Sequence, residues 1–155
     1  MQTQGNIMKP NWILVANATE ARLLQQEAGA PLVVLQAFHH PASRVRSSTL
    51  GDDKAGREGS DQGFGGAAFS PRTDAQTKEH LHFARELAQR LEQGATDGSY
   101  AAVTIHASSP FLGELNHALG DHTRKLVAAT HDVDLTSFGV GEIERRIGQE
   151  RAAAR

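Results

Sequence analysis

Five consecutive apolar residues, Trp12-Ile13-Leu14-Val15-Ala16, come just after Pro10 and constrain this chain more than any other stretch. A strand with one wet face alternates apolar and polar side chains, whereas a strand covered on both faces reads as an unbroken apolar run. The segment is therefore read as a buried strand that starts a sheet. Thr19 to Gln25, carrying Ala21, Leu23 and Leu24, reads as a second strand reached through a turn at Asn17-Ala18, in preference to one helical turn. Pro31 to Phe38 follows a turn at Glu27-Ala28-Gly29-Ala30 and is rich in β-branched residues, which marks it as a hairpin partner.

Beyond Pro71 the period changes. Thr73-Asp74-Ala75-Gln76 matches a capping box, and Leu81, Ala84, Leu87, Ala88 and Leu91 then fall on one helical face before Gly94, which is expected to stop the helix. Tyr100 to His106 reads as a strand. Ser109-Pro110 offers an N-cap and first-turn proline for a short helix ending at Gly120. Lys125 to Thr130 fits a last strand, and Val140 to Arg151, with Ile143 and Ile147 four apart, closes the chain as an amphipathic helix. The pattern predicts an α/β fold in a single domain: a mixed β-sheet of about four to five strands covered by three main helices.

Composition agrees with one globular domain. The chain has 155 residues, 39% hydrophobic and 22% charged, which fits neither wholesale disorder nor a membrane protein. No apolar run approaches the about 18 residues of a membrane span, and the polar start from Met1 to Pro10 does not resemble a signal peptide, so a cytoplasmic location is expected. A net charge of −2 supplies no overall basic field for phosphate backbones. The absence of cysteine excludes disulfides, thiolate metal sites and cysteine nucleophiles.

From His39 to Pro71 periodicity vanishes, and Gly51, Gly56, Gly59, Gly63, Gly65 and Gly66 are interleaved with charged and small polar residues. This predicts a flexible glycine-rich loop at 39–71, a length that compact domains seldom carry without a use. Gly63-Phe64-Gly65-Gly66 invites a phosphate-loop reading, but the Lys-Ser/Thr of a Walker loop is missing, and Ala68 stands where a dinucleotide fingerprint needs its last glycine. Arg44, Arg46, Arg57 and Arg72 border the segment, a local setting for an RNA contact, though only Phe64 and Phe69 are there to stack on bases.

Eight histidines raise the question of a metal. His80-x-His82 on a helix point to opposite sides, and His39-His40, His106, His117, His122 and His131 meet only through the fold, so no metal set follows from spacing. His106 ends a strand and is followed by Ser108 and Ser109, at the edge where open α/β folds place ligands. No Gly-x-Ser-x-Gly elbow presents a nucleophile there, and Ser109 before Pro110 is explained by capping.

The segments Trp12 to Leu23, Phe83-Ala84-Arg85-Glu86-Leu87-Ala88, Phe111-Leu112-Gly113-Glu114-Leu115 and Asp132-Val133-Asp134-Leu135-Thr136, in that order and spacing, resemble the host attachment protein family. The resemblance implies a mixed α/β domain similar in fold to the central domain of archaeo-eukaryotic release factors, and it implies no established catalytic mechanism. Release factors act through a Gly-Gly-Gln loop, whereas here Gly65-Gly66 is followed by Ala67. The family pattern also has Arg and Lys where this chain has Asn116 and Val133. Leu112 and Leu115 are expected to bury one helix face, with Gly113 allowing close approach to the sheet, and Asp134 or Thr136 to cap the last helix.

The expected function is a non-enzymatic binding or adaptor domain without catalytic residues, cofactor or metal. The alternative is an RNA- or ribosome-associated protein of release-factor-like fold with hydrolase or nuclease activity. The expected partner is a protein, or a ribosome or RNA, and the candidate contact residues are Arg57, Gly65, Gly66, Arg72, Ser108 and Glu114.

Overall fold

The computed structural model of the chain describes residues 9–40 and 71–154. Strand β1 (Asn11–Ala16) lies at the centre of one five-stranded sheet, with β2 (Glu20–Gln26), β3 (Val33–His39), β4 (Ala102–Ala107) and β5 (Val127–His131) in the order β3-β2-β1-β4-β5. β1 runs antiparallel to β2 and parallel to β4, and β4 is parallel to β5. The sheet is mixed, as the sequence predicts. Four helices accompany it among the described residues: α1 (Pro71–Asp97), α2 (Phe111–Ala118), α3 (Asp121–Leu126) and α4 (Val140–Ala154). The expected three main helices correspond to α1, α2 and α4.

The apolar run of β1 is explained by its surroundings. Trp12, Leu14 and Ala16 face a core built with Phe83, Leu87 and Leu91 of α1 and Phe111 and Leu115 of α2. Ile13 and Val15 face the opposite side, where Ile143 and Ile147 of α4 and Leu135 cover them. Removing both faces of one strand from water leaves no position for a polar residue. β3 is the contrasting case, since at the sheet edge Val33, Val34 and Leu35 are exposed and Phe38 is its buried residue.

Several local expectations change. Strand β3 runs on to His39 and α1 starts at Pro71, while residues 41–70 of the predicted glycine-rich loop, including Arg57, Gly65 and Gly66, lie outside the described residues. On α1, Ala84, Leu87, Ala88 and Leu91 are buried as the periodicity predicts, but so is Phe83, while Leu81 is half-buried. Gly94 does not end α1. The helix continues to Asp97 and closes on Gly98 at φ +73°, with the Ser99 amide donating to the Gly94 carbonyl (2.8 Å) and the Gly98 amide to that of Ala95 (3.2 Å). These are the paired bonds by which a left-handed glycine satisfies the last carbonyls of a helix.

The expected strand over 125–130 forms from Val127 onward, and its first two residues belong to a helix instead. Asp121 to Leu126 form α3, and β5 begins only at Val127. The helix is installed by contacts distant in sequence: Glu92 of α1 accepts from both the amide and the hydroxyl of Thr123 (3.0 Å each) and from the His122 ring. Those bonds, the His122 ring foremost, hold the Glu92 carboxyl down to about 2. Arg124 then donates to the carbonyls of Leu119 (3.0 Å) and Asn116 (2.9 Å), satisfying the end of α2.

In α2, Phe111 and Leu115 are buried and Leu112 packs against the same core, as expected, but Gly113 faces solvent and a Cβ there would meet nothing within 4 Å. Close approach to the sheet does not explain this glycine. Gly113→Ala is therefore expected to stabilise the protein by about 0.5–1 kcal/mol, because the glycine costs backbone entropy in a helix without relieving any contact. A urea-unfolding midpoint lower than that of the unaltered chain would contradict this.

Candidate functional site at the carboxyl edge of the sheet

Because β1, β4 and β5 are parallel, their carboxyl ends meet at one edge. There β1 turns outward to β2, and β4 leads the other way to β5. The carboxyl edge of parallel strands is where open α/β sheets bind ligands. Asn17 follows β1, Ser108 and Ser109 follow β4, and Asp132 follows β5.

The motif residues on this edge bind mainly one another. The Asn17 side-chain amide donates to Asp134 Oδ2 (3.1 Å) and Thr136 Oγ1 (3.0 Å), while its carbonyl oxygen accepts from the amides of Thr19 (2.8 Å) and Glu20 (3.0 Å). Asp134 accepts from the Thr136 amide (2.8 Å) and hydroxyl (2.6 Å). Partial burial raises the Asp134 pKa, but the Thr136 and Asn17 bonds outweigh it and hold the carboxyl below its usual range. Arg22 Nη2 reaches across from β2 and donates to the carbonyls of Phe138 (2.6 Å), Thr136 (2.8 Å) and Leu135 (3.4 Å). Asp134 and Thr136 thus close their own turn instead of capping α4, which starts at Val140.

Ser109 is likewise committed elsewhere than to capping. Its hydroxyl donates to Asp132 Oδ2 (2.7 Å) and its amide to Asp132 Oδ1 (3.0 Å), and these bonds lower the Asp132 pKa. Pro110 occupies the cap position of α2 without a side-chain capping bond. Ser108 is half-buried on the rim, its carbonyl accepting from the Leu112 amide (3.0 Å). Glu114, in the first turn of α2, is also half-buried, and its Oε1 is buried without a hydrogen-bond partner among the described residues.

On the α4 face of the same edge lies a cluster that the sequence did not assemble. His106 of β4 and His131 of β5 are in register, so their side chains leave the same face on adjacent strands. Their rings stack with centroids 4.7 Å apart, close to the spacing of neighbouring strands. Glu150 descends from α4, one turn beyond Ile143 and Ile147 on the buried stripe, and its Oε1 lies 2.9 Å from His106 Nε2 and 3.6 Å from His131 Nε2. His106 is fully buried, and this burial, outweighing the Glu150 carboxylate beside it, lowers its pKa and favours the neutral ring. Among the described residues its Nδ1 has no hydrogen-bond partner.

Of the six contact residues expected from sequence, Ser108 and Glu114 sit on this edge and Arg72 lies in the first turn of α1, while Arg57, Gly65 and Gly66 fall outside the described residues. Ser109 and His106 do not pair with each other: Ser109 is bonded to Asp132 and His106 to Glu150. Sequence reasoning missed Glu150 and the pairing of His106 with His131. The available signals were a carboxylate seven residues after Ile143 on an apolar stripe and a histidine in an otherwise apolar strand.

A family model described as "Protein required for attachment to host cells" matches residues 12–147. No curated protein sequence matches the chain. Among solved structures, the archaeal translation termination factor aRF1 is similar over 81% of this chain at 13% identity with a TM-score of 0.49. A type IV pilus biogenesis complex of PilM and PilN is similar over 88% at 16% identity with a TM-score of 0.41. The chain spans 31% and 41% of the lengths of those two chains. Among the described residues no helix is long and apolar enough to cross a membrane.

Proposed function

Because the chain belongs to the family of proteins required for attachment to host cells, we propose that it acts as a non-enzymatic binding domain, contacting a macromolecular partner through the carboxyl edge of its sheet. The observation that carries this reading is the mutual closure of Asn17, Arg22, Asp134 and Thr136. These are residues of the segments on which the family likeness rests, and their polar groups stiffen the edge instead of facing a substrate. A stiff rim loses little conformational entropy when a partner docks. Beside it, Ser108 and Glu114 are half-buried, so both residues reach the surface at which a partner would dock.

The test is complementation of attachment in cells that carry this gene, comparing the unaltered chain with Ser108→Arg and Glu114→Gln. Both variants are expected to keep the thermal midpoint and lose attachment. Attachment retained by both would overturn the reading. So would salt-sensitive cosedimentation of the unaltered protein with ribosomes, since a steep salt dependence marks phosphate contacts.

A further inference from the structure

We propose that His106, His131 and Glu150 form a binding site for one divalent transition-metal ion of the zinc class. One donor atom from each residue lies within 4.8 Å of the other two. Donors sharing a zinc ion at bonds near 2.1 Å stand about 3.4 Å apart in a tetrahedral site. The two contacts to Glu150 Oε1, 2.9 and 3.6 Å, bracket that separation. Two imidazoles and one carboxylate are a recurrent zinc set that leaves a fourth position open, and a chain without cysteine has no softer ligand to compete.

The second observation is the burial of His106. Val15 of β1 stands opposite it in register, on the face lined by Ile13, Val15, Ile143 and Ile147, and among the described residues its Nδ1 has no hydrogen-bond partner. A buried polar atom left unpaired is costly, and an aliphatic side chain would fill the position without that cost. A ligand role accounts for an imidazole there. Ligation through Nε2, the nitrogen that faces Glu150, gives the imidazole a use that no aliphatic side chain has.

The geometry also says how the ion would be taken up. The two rings are within 15° of parallel, so no ion can lie in both ring planes as they stand. His106 is enclosed, whereas the side chains of His131 and Glu150 are about one third exposed, at 36% and 33%. His131 therefore turns about its side-chain bonds to complete the site, and the ion enters from solvent on that side. Bound there, it would join β4, β5 and α4. This inference is independent of the partner-binding reading above.

The experiment is titration of the full chain with Co²⁺, followed by optical absorption, and then displacement by Zn²⁺ in a calorimeter. One equivalent of Co²⁺ is expected to give a visible ligand-field band that Zn²⁺ abolishes. His131→Ala and Glu150→Gln alter partly exposed side chains and are expected to weaken binding by at least about tenfold, since even outer-shell partners of metal ligands are worth that much. A control with His82→Ala and His117→Ala together removes two exposed imidazoles and is expected to bind as the unaltered chain does. Should His106→Ala fail to fold, ring-nitrogen NMR shifts of His106 and His131 on adding Zn²⁺ to the unaltered chain report the same contact. The proposal is overturned if no equivalent binds, or if binding survives both His131→Ala and Glu150→Gln.

Discussion

Gly94→Ala is expected to be strongly destabilising, although alanine is the better helix former. A Cβ on Gly94 would stand 2.5 Å from Trp12 Cη2, 2.6 Å from Trp12 Cζ3 and 3.0 Å from Tyr100 Cε1. The indole has nowhere to retreat: it is buried, stacked on Tyr100 at 4.4 Å, and covered by the Arg90 guanidinium 4.9 Å from its centroid. Tyr100 is held in turn by its hydroxyl, which donates to the Leu91 carbonyl at 2.8 Å. Overpacking of this kind costs about 1–3 kcal/mol, more than the 0.5–1 kcal/mol or so gained from helix propensity. For a chain of this size each kcal/mol lowers the thermal midpoint by about 2–4 °C. Trp12 is the sole tryptophan, so its fluorescence both follows unfolding and reports the displaced ring. An unchanged emission spectrum with an unchanged urea midpoint would refute the packing argument. The opposite sign expected for Gly113→Ala makes the pair a stringent test, because helix propensity treats the two glycines alike.

Arg22→Met is expected to cost about 1.5–3 kcal/mol, the range for hydrogen bonds made by a charged group. Arg22 gathers three carbonyls, those of Leu135, Thr136 and Phe138, and so holds the segment between β5 and α4 against β2. Methionine keeps much of the stem and its packing but takes the guanidinium donor from the Thr136 and Phe138 carbonyls, while the Leu135 carbonyl keeps its bond from the Phe138 amide. The loss should be concentrated locally, in faster amide exchange at residues 135–143, before it appears in global unfolding. Leu135 and Ile143 are core residues of the α4 face, so loosening this segment also loosens the helix. Arg22→Lys should recover part of the stability, since an ammonium supplies charge and donors without the planar reach. If Arg22→Met left both exchange and the denaturation midpoint unaltered, the clamp would have no role in stability.

The amino-acid sequence by itself determined the elements whose signals are local. A double-faced apolar run gives β1, periodic leucines and alanines give α1, and Ile143 and Ile147 give α4, because burial patterns repeat with the pitch of the element that carries them. The mixed α/β class follows from the order of those elements, and the four segments in register pointed to the family. Tertiary structure alone decided what depends on residues far apart. Gly94 reads as a helix stop until Trp12 is placed against it, while Gly98 supplies the actual left-handed residue. Helix α3 takes the first two residues of the expected last strand, held by Glu92, some thirty positions away, which binds Thr123. Ser109 reads as a cap until Asp132 takes its hydroxyl. His106 and His131 become neighbours only through the parallel register of β4 and β5, and Glu150 joins them only because α4 crosses that face. Register and crossing are set by the packing of whole elements, and no window of sequence contains them.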